Sequence, residues 1–241
     1  MNYKNATIIT GPTTVGKSEI VTKIAQKLRG ELINSDRLYI YSFVKIGTGL
    51  HKYPRDIVKH LYGICKPTEV LSTEDYVKRV ERIVPRILSK DKLPIIEGCS
   101  STYNPSLIKT NSKSKRTFYY SPVIALKWRK KIDLKDRIEK RLDKMFEDGL
   151  LEEAKKNVYN KGLKSSHAIK ISVVYNPLMD FFDNKLTLAQ AKSDIIKRWL
   201  DVAQMQFEVF NNIPEIIWVE NDLSKQDKVI KTIIEIINEH N

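Results

Sequence analysis

The sequence predicts an α/β fold, a parallel sheet flanked by helices with a helix-rich C-terminal part. Three observations lead there. Residues 11–18 read Gly-Pro-Thr-Thr-Val-Gly-Lys-Ser, a full G-x-x-x-x-G-K-[ST] phosphate loop; it follows the apolar run Ala6–Thr10 and precedes apolar residues at 20, 21, 24, 25 and 28, which is helical spacing. Strand-like and helix-like runs alternate through the first half, the pattern of a parallel sheet. From 133 to 210 the helical period dominates.

In chain order, strands are expected at 6–10, 31–34, 93–96, 116–120 with 123–126, and 215–219. Helices are expected at 16–29, 73–90, 133–158, 187–210 and 224–239. Asp133 and Thr187 stand where N-caps belong, Thr187 just after the turn residues Asp183-Asn184-Lys185. Asn104 to Lys115 reads as a short connection. No repeat, low-complexity tract or long linker divides the chain. One P-loop NTPase-like domain over 1–241 is therefore expected, with about 133–210 as a helical layer against its core.

Composition narrows the class. Hydrophobic residues make up 41% of 241, enough for a sizeable core. No stretch approaches the ~20 apolar residues of a membrane span. The chain enters its first strand almost at once, so no signal peptide is expected. Cys65 and Cys99 build no disulfide framework and read as small buried residues in a reducing cytoplasm. A monomer is expected. The net charge of +13 favours polyanionic partners such as nucleotides, diphosphates or RNA, although short lysine runs also suit a solvated surface.

The phosphate loop has a clear chemistry. Its glycines let backbone N–H groups close on an anion, and the following helix N-terminus adds partial positive charge. Lys17 supplies a point charge for a terminal phosphate, and Ser18 offers a hydroxyl to Mg²⁺. This predicts a polyphosphate ligand without saying which bond breaks.

Three further segments carry more. Asn34-Ser-Asp-Arg-Leu-Tyr-Ile-Tyr41 follows the second strand and leads to Ile46-Gly-Thr-Gly49. Leu93-Pro-Ile-Ile-Glu-Gly-Cys-Ser-Ser-Thr-Tyr103 is a strand running into a small-residue loop. Asp136 to Glu153 is basic, then acidic, and Tyr175-Asn-Pro-Leu-Met-Asp-Phe-Phe-Asp-Asn-Lys-Leu-Thr-Leu188 is a tyrosine-led segment of helix–turn–helix type. With the phosphate loop, these resemble the isopentenyltransferase family from residue 6 to about 221. Its members move a dimethylallyl group from a diphosphate to N6 of an adenine, either in tRNA or in a free adenine nucleotide, as in cytokinin synthesis.

The resemblance implies roles residue by residue. Gly11, Pro12, Thr13, Thr14, Val15, Gly16, Lys17 and Ser18 would grip dimethylallyl diphosphate, with Thr13 near the reacting atoms and Ser18 on Mg²⁺. Asp36 would be the general base for the N6 amine, a poor nucleophile until its proton is taken. Arg141 would contact the diphosphate, assisted by Arg137, since the leaving group departs only with its charge neutralised. Arg37, Thr48, Ser100 and Ser101 would join Asp36 around the nucleotide. Val173, Tyr175 and Val202 would line the prenyl pocket. Val173 and Val202 stand where relatives accepting a hydroxylated prenyl donor have an aspartate and a histidine, so dimethylallyl diphosphate is the expected donor. Departures from the family pattern occur at Tyr39, usually glutamine, at Cys99, usually glycine, and at Val173.

The resemblance also bears on the acceptor. The tRNA enzymes carry a helical insertion after the glycine-rich loop, for which 104–115 leaves no room. In the helix near 195–210 the tRNA pattern T-R-x-Y-A-K-R-Q has two arginines where this chain has Leu200 and Met205. Arg37 matches the D-R-V-Q of bacterial adenylate enzymes. A free adenine nucleotide (AMP, with ADP and ATP open) is therefore the expected acceptor, and the adenylate dimethylallyltransferases the expected branch. Alternatives are a tRNA dimethylallyltransferase acting on an anticodon-loop adenosine, and a nucleotide or small-molecule kinase, which the phosphate loop alone permits.

Overall fold

The computed structural model describes residues 3–113, 117–128 and 133–241, the side chains of Asp133 and Leu223 excepted. Strand β1 (Ala6–Thr10) leads through the phosphate loop into helix α1 (Lys17–Lys27), then β2 (Glu31–Asn34), the two-residue β3 (Lys59–His60), α2 (Thr73–Leu88), β4 (Pro94–Glu97), α3 (Tyr103–Lys109) and β5 (Tyr120–Trp128). Helices α4 (Asp133–Glu147), α5 (Leu150–Ala154), α6 (His167–Lys170), α7 (Tyr175–Phe182) and α8 (Leu188–Asn211) follow, then β6 (Ile216–Asn221) and α9 (Gln226–Glu239). Among the described residues the strands form one sheet in the order β3-β2-β4-β1-β5-β6, with every pairing parallel. This bears out the expected parallel sheet with flanking helices and a helix-rich C-terminal part.

Period-2 alternation splits the core between the two faces of the sheet. Ile8, Ile33, Ile96 and Val123 face α2 and α3, where Tyr76 stacks on Tyr103 with ring centroids 4.0 Å apart. Ile9, Leu32, Ile95 and Ile124 face α1 and α9. A third cluster joins α4, α5, α7 and α8 through Ile138, Leu142, Leu150, Leu178 and Ile195. No helix among the described residues is long and apolar enough to cross a membrane.

Several boundaries differ from the sequence expectation. The two runs at 116–120 and 123–126 become the single strand β5, and Arg116 lies outside the described residues. The predicted helix 133–158 breaks at Gly149, whose φ of +96° is the left-handed conformation that ends α4 and starts α5. The Asp133 cap lies outside the described side chains. The connection at 104–115 contains α3, which the sequence hides because Asn104-Pro105 reads as a turn, yet proline is tolerated in a helix's first turn.

Helix α8 starts as expected. Thr187 Oγ1 accepts from Gln190 N–H at 3.2 Å and Gln190 Oε1 accepts from Thr187 N–H at 2.8 Å, a complete capping box. Replacing Thr187 by alanine is expected to lower unfolding free energy by about 1 kcal/mol, read as a lower urea midpoint at constant slope. An unchanged midpoint would show that the packed face of α8 alone holds this end.

Candidate active site

The C-terminal ends of β1, β2 and β4 open into a cavity of about 630 Å³, within the range of small-molecule sites. Thr13, Thr14, Gly16, Lys17 and Ser18 form one wall. Gly16 at φ +89° turns the chain into α1. Lys17 is 8% exposed and donates to the carbonyls of Gly11 and Pro12, each at 2.9 Å. Burial lowers its pKa, against the raising influence of Cys99, Glu97 and Asp36. Gly11, Pro12 and Val15 are absent from the wall. Gly11 and Pro12 act through their carbonyls, and Val15 is buried in the core while Asn221 Nδ2 donates to its carbonyl at 2.6 Å.

Asp36 lies on the adjoining wall. Its Oδ1 accepts from Leu38 N–H at 2.8 Å, closing the turn after β2, and its Oδ2 accepts from the Cys99 thiol at 2.9 Å. Gly98 permits this approach: its φ is +152°, and a side chain there would collide with the Ser35 backbone. Arg37, Thr48, Ser100 and Ser101 also reach the cavity. The Thr48 hydroxyl donates to Lys45 O at 2.9 Å, and Ser100 Oγ accepts from Tyr103 N–H at 3.0 Å at the start of α3.

Helix α4 brings Arg137 and Arg141 to the mouth. The Arg141 guanidinium lies 5.2 Å over the Trp199 ring and donates to Gly49 O at 3.2 Å, an oxygen that also accepts from Tyr39 OH at 2.9 Å. The loop carrying Gly49 is held from the helical layer. Glu153 accepts from Lys45 N–H at 2.8 Å, Ile46 N–H at 2.9 Å and Gly47 N–H at 3.2 Å, and from the Tyr175 hydroxyl. Tyr175, expected in the prenyl pocket, thus turns away from the cavity into this clamp, whereas Val173 and Val202 stand on the cavity wall.

Trp199, Gln206 and Glu97 escaped the sequence reading. Trp199 Nε1 donates to Thr13 Oγ1 at 3.1 Å, and Gln206 Oε1 accepts from Thr13 N–H at 2.8 Å. With Val202 they recur at i, i+3 and i+7 on one face of α8, which was a readable signal. Glu97 is 1% exposed, accepts from the Tyr53 and Tyr62 hydroxyls, and has its pKa raised by burial. Its place at the C-terminal end of the strand beside β1 was the clue. Among the described residues no group of three or more His, Cys, Asp or Glu side chains is placed to cage a metal. Ser18 on the wall suits a cation whose remaining ligands are phosphate oxygens and water.

A model of the family described as IPP transferase matches residues 39–119 and 106–213. Curated proteins named tRNA dimethylallyltransferase align with the chain. The one from Oenococcus oeni is 27% identical over 252 positions, covering 96% of this chain and 95% of that protein. The one from Sulfurihydrogenibium is 26% identical, covering 85% and 88%. The solved tRNA isopentenylpyrophosphate transferase of Bacillus halodurans superposes with a TM-score of 0.84 at 22% identity, over 98% of each chain. A eukaryotic dimethylallyltransferase solved acting on tRNA gives 0.77 at 18% identity, over 96% of this chain and 78% of its own. These superpositions establish the shared fold.

The comparison corrects the acceptor. The relatives are named for tRNA, so the expectation of a free adenine nucleotide, with tRNA the less fitting partner and a place in cytokinin synthesis, does not stand. Length misled, because the Oenococcus oeni protein is matched almost end to end and is thus nearly as short as this chain. So did α8: Leu200 packs into the helical layer and Met205 sits on the cavity wall, so these two positions report packing and pocket shape.

Proposed function

Since the chain belongs to the IPP transferase family, we propose that it transfers a dimethylallyl group from dimethylallyl diphosphate to N6 of an adenosine in tRNA. The observation carrying this reading is the convergence of the phosphate loop, Asp36 and Arg141 on one cavity, in a chain whose named relatives act on tRNA.

In the proposed reaction the carbon–oxygen bond of the donor breaks as the carbon–nitrogen bond forms. Diphosphate leaves, and the N6 proton passes to the Asp36 carboxylate. Lys17, the N–H groups at the start of α1 and Arg141 offset the charge that develops on the leaving group. Lys17 reaches it by exchanging the carbonyls of Gly11 and Pro12 for phosphate oxygens. Mg²⁺, held by Ser18 and the diphosphate, would add charge neutralisation at the same place. Val173 and Val202 shield the reacting carbon from water.

Incubation with dimethylallyl diphosphate, Mg²⁺ and tRNA lacking the modification, followed by digestion and mass spectrometry, tests the proposal. One adenosine is expected to gain roughly 68 daltons. A hydroxylated donor is expected to lose roughly tenfold in kcat/KM, since two valines leave its hydroxyl unpaired. RNA recovered without the mass gain refutes the reading.

A further inference from the structure

Cys99 has no part in the roles above, yet it touches the group on which they turn. Its Sγ lies 2.9 Å from Asp36 Oδ2, on the cavity wall, while Asp36 Oδ1 is occupied by the Leu38 amide. Oδ2 is therefore the oxygen that meets the thiol. Burial, followed by the charge of Asp36, raises the thiol pKa, so the sulfur keeps its proton and serves as a donor. The Gln206 side chain adjoins the sulfur, and its Oε1 accepts from Thr13 N–H at 2.8 Å. A continuous chain of contacts thus runs Thr13–Gln206–Cys99–Asp36. It joins the loop that would hold the donor's diphosphate to the carboxylate that would receive the acceptor's proton, across elements 63 to 193 residues apart in sequence.

We propose that Cys99 is a positioning residue for Asp36, holding Oδ2 through its thiol proton, and that Gln206 ties this hold to the phosphate loop. The inference rests on the reaction proposed above. A carboxylate on a loop rotates about its terminal bond, and a base contributes only when its oxygen meets the amine in a productive line. The thiol fixes the carboxylate plane and leaves a second lone pair on Oδ2 free to take the N6 proton. Cys99 keeps its own proton throughout.

Two measurements test this, one independent of catalysis. The infrared S–H stretching band of Cys99, assigned as the band lost in Cys99→Ser, is expected to move toward the free-thiol position in Asp36→Ala. A band unmoved by that substitution refutes the contact whatever the activity. In kinetics with tRNA, Cys99→Ala is expected to lower kcat roughly tenfold at unchanged donor KM. Cys99→Ser is expected to restore most of the rate. Gln206→Leu is expected to cost less when added to Cys99→Ala than when made alone, because the two act through one chain. Wild-type kcat in Cys99→Ala overturns the proposal. Absence of any prenylated RNA from the wild-type protein refutes the reaction instead, and the S–H band still decides the contact.

Discussion

Asp36→Asn is expected to lower kcat for tRNA prenylation by about 10²- to 10⁴-fold, with donor KM nearly unchanged. Asparagine has the shape of aspartate, and its carbonyl can keep the Leu38 N–H bond that closes the turn after β2. The fold is therefore expected to survive, with a melting temperature within a few degrees of wild type, as about 1 kcal/mol or less implies for a chain of this size. What is lost is a group able to accept the N6 proton as the carbon–nitrogen bond forms. Steady-state kinetics beside a thermal melt separates the two effects. A variant within threefold of wild-type kcat would mean that Asp36 serves the turn alone and that the proton leaves by another route.

Lys17→Met is expected to lower kcat by roughly 10²- to 10³-fold and to raise donor KM. The methionine roughly matches the length of the side chain and removes its charge. It also leaves the carbonyls of Gly11 and Pro12 without their donor, at a stability cost of about 1–3 kcal/mol. A pH profile adds a second signature. Burial lowers the Lys17 pKa, so the ammonium is lost at lower pH than for an exposed lysine. Activity should then fall as pH rises through that lowered value, and this alkaline limb should be missing from the variant. If Lys17→Met keeps both rate and limb, the diphosphate is held without Lys17.

The parts of the site legible in the sequence are those with local signals. The phosphate loop is contiguous with its strand and helix, so its spacing sufficed to place it. Asp36 follows a four-residue strand in a turn, and Arg141 lies on a helix whose i±3 and i±4 neighbours include no carboxylate, so no local ion pair holds it; the role of each comes from the family resemblance. Tyr175 was misplaced because a family pattern gives position along the chain and not the direction of a ring; Glu153 and Gly47 draw its hydroxyl away from the cavity. The acceptor was misread for a related reason. Neither the short connection at 104–115 nor Leu200 marks the acceptor, since a relative of similar length bears the tRNA name and Leu200 answers to packing.

Periodicity and glycine spacing act over a few residues, so the chain alone specifies the parallel α/β sheet and the phosphate loop, whereas the base role of Asp36 comes from the family resemblance. How these parts meet depends on long-range packing. Thr13 is gripped by Trp199 and Gln206, Asp36 by Cys99, and the Gly47–Gly49 loop by Glu153 and Arg141. Each of these contacts joins residues 63 to 193 positions apart. Hydrogen bonds at that separation leave no periodic trace along the chain. They exist because the helical layer buries its own apolar faces, and in doing so brings α4 and α8 over the ends of the strands.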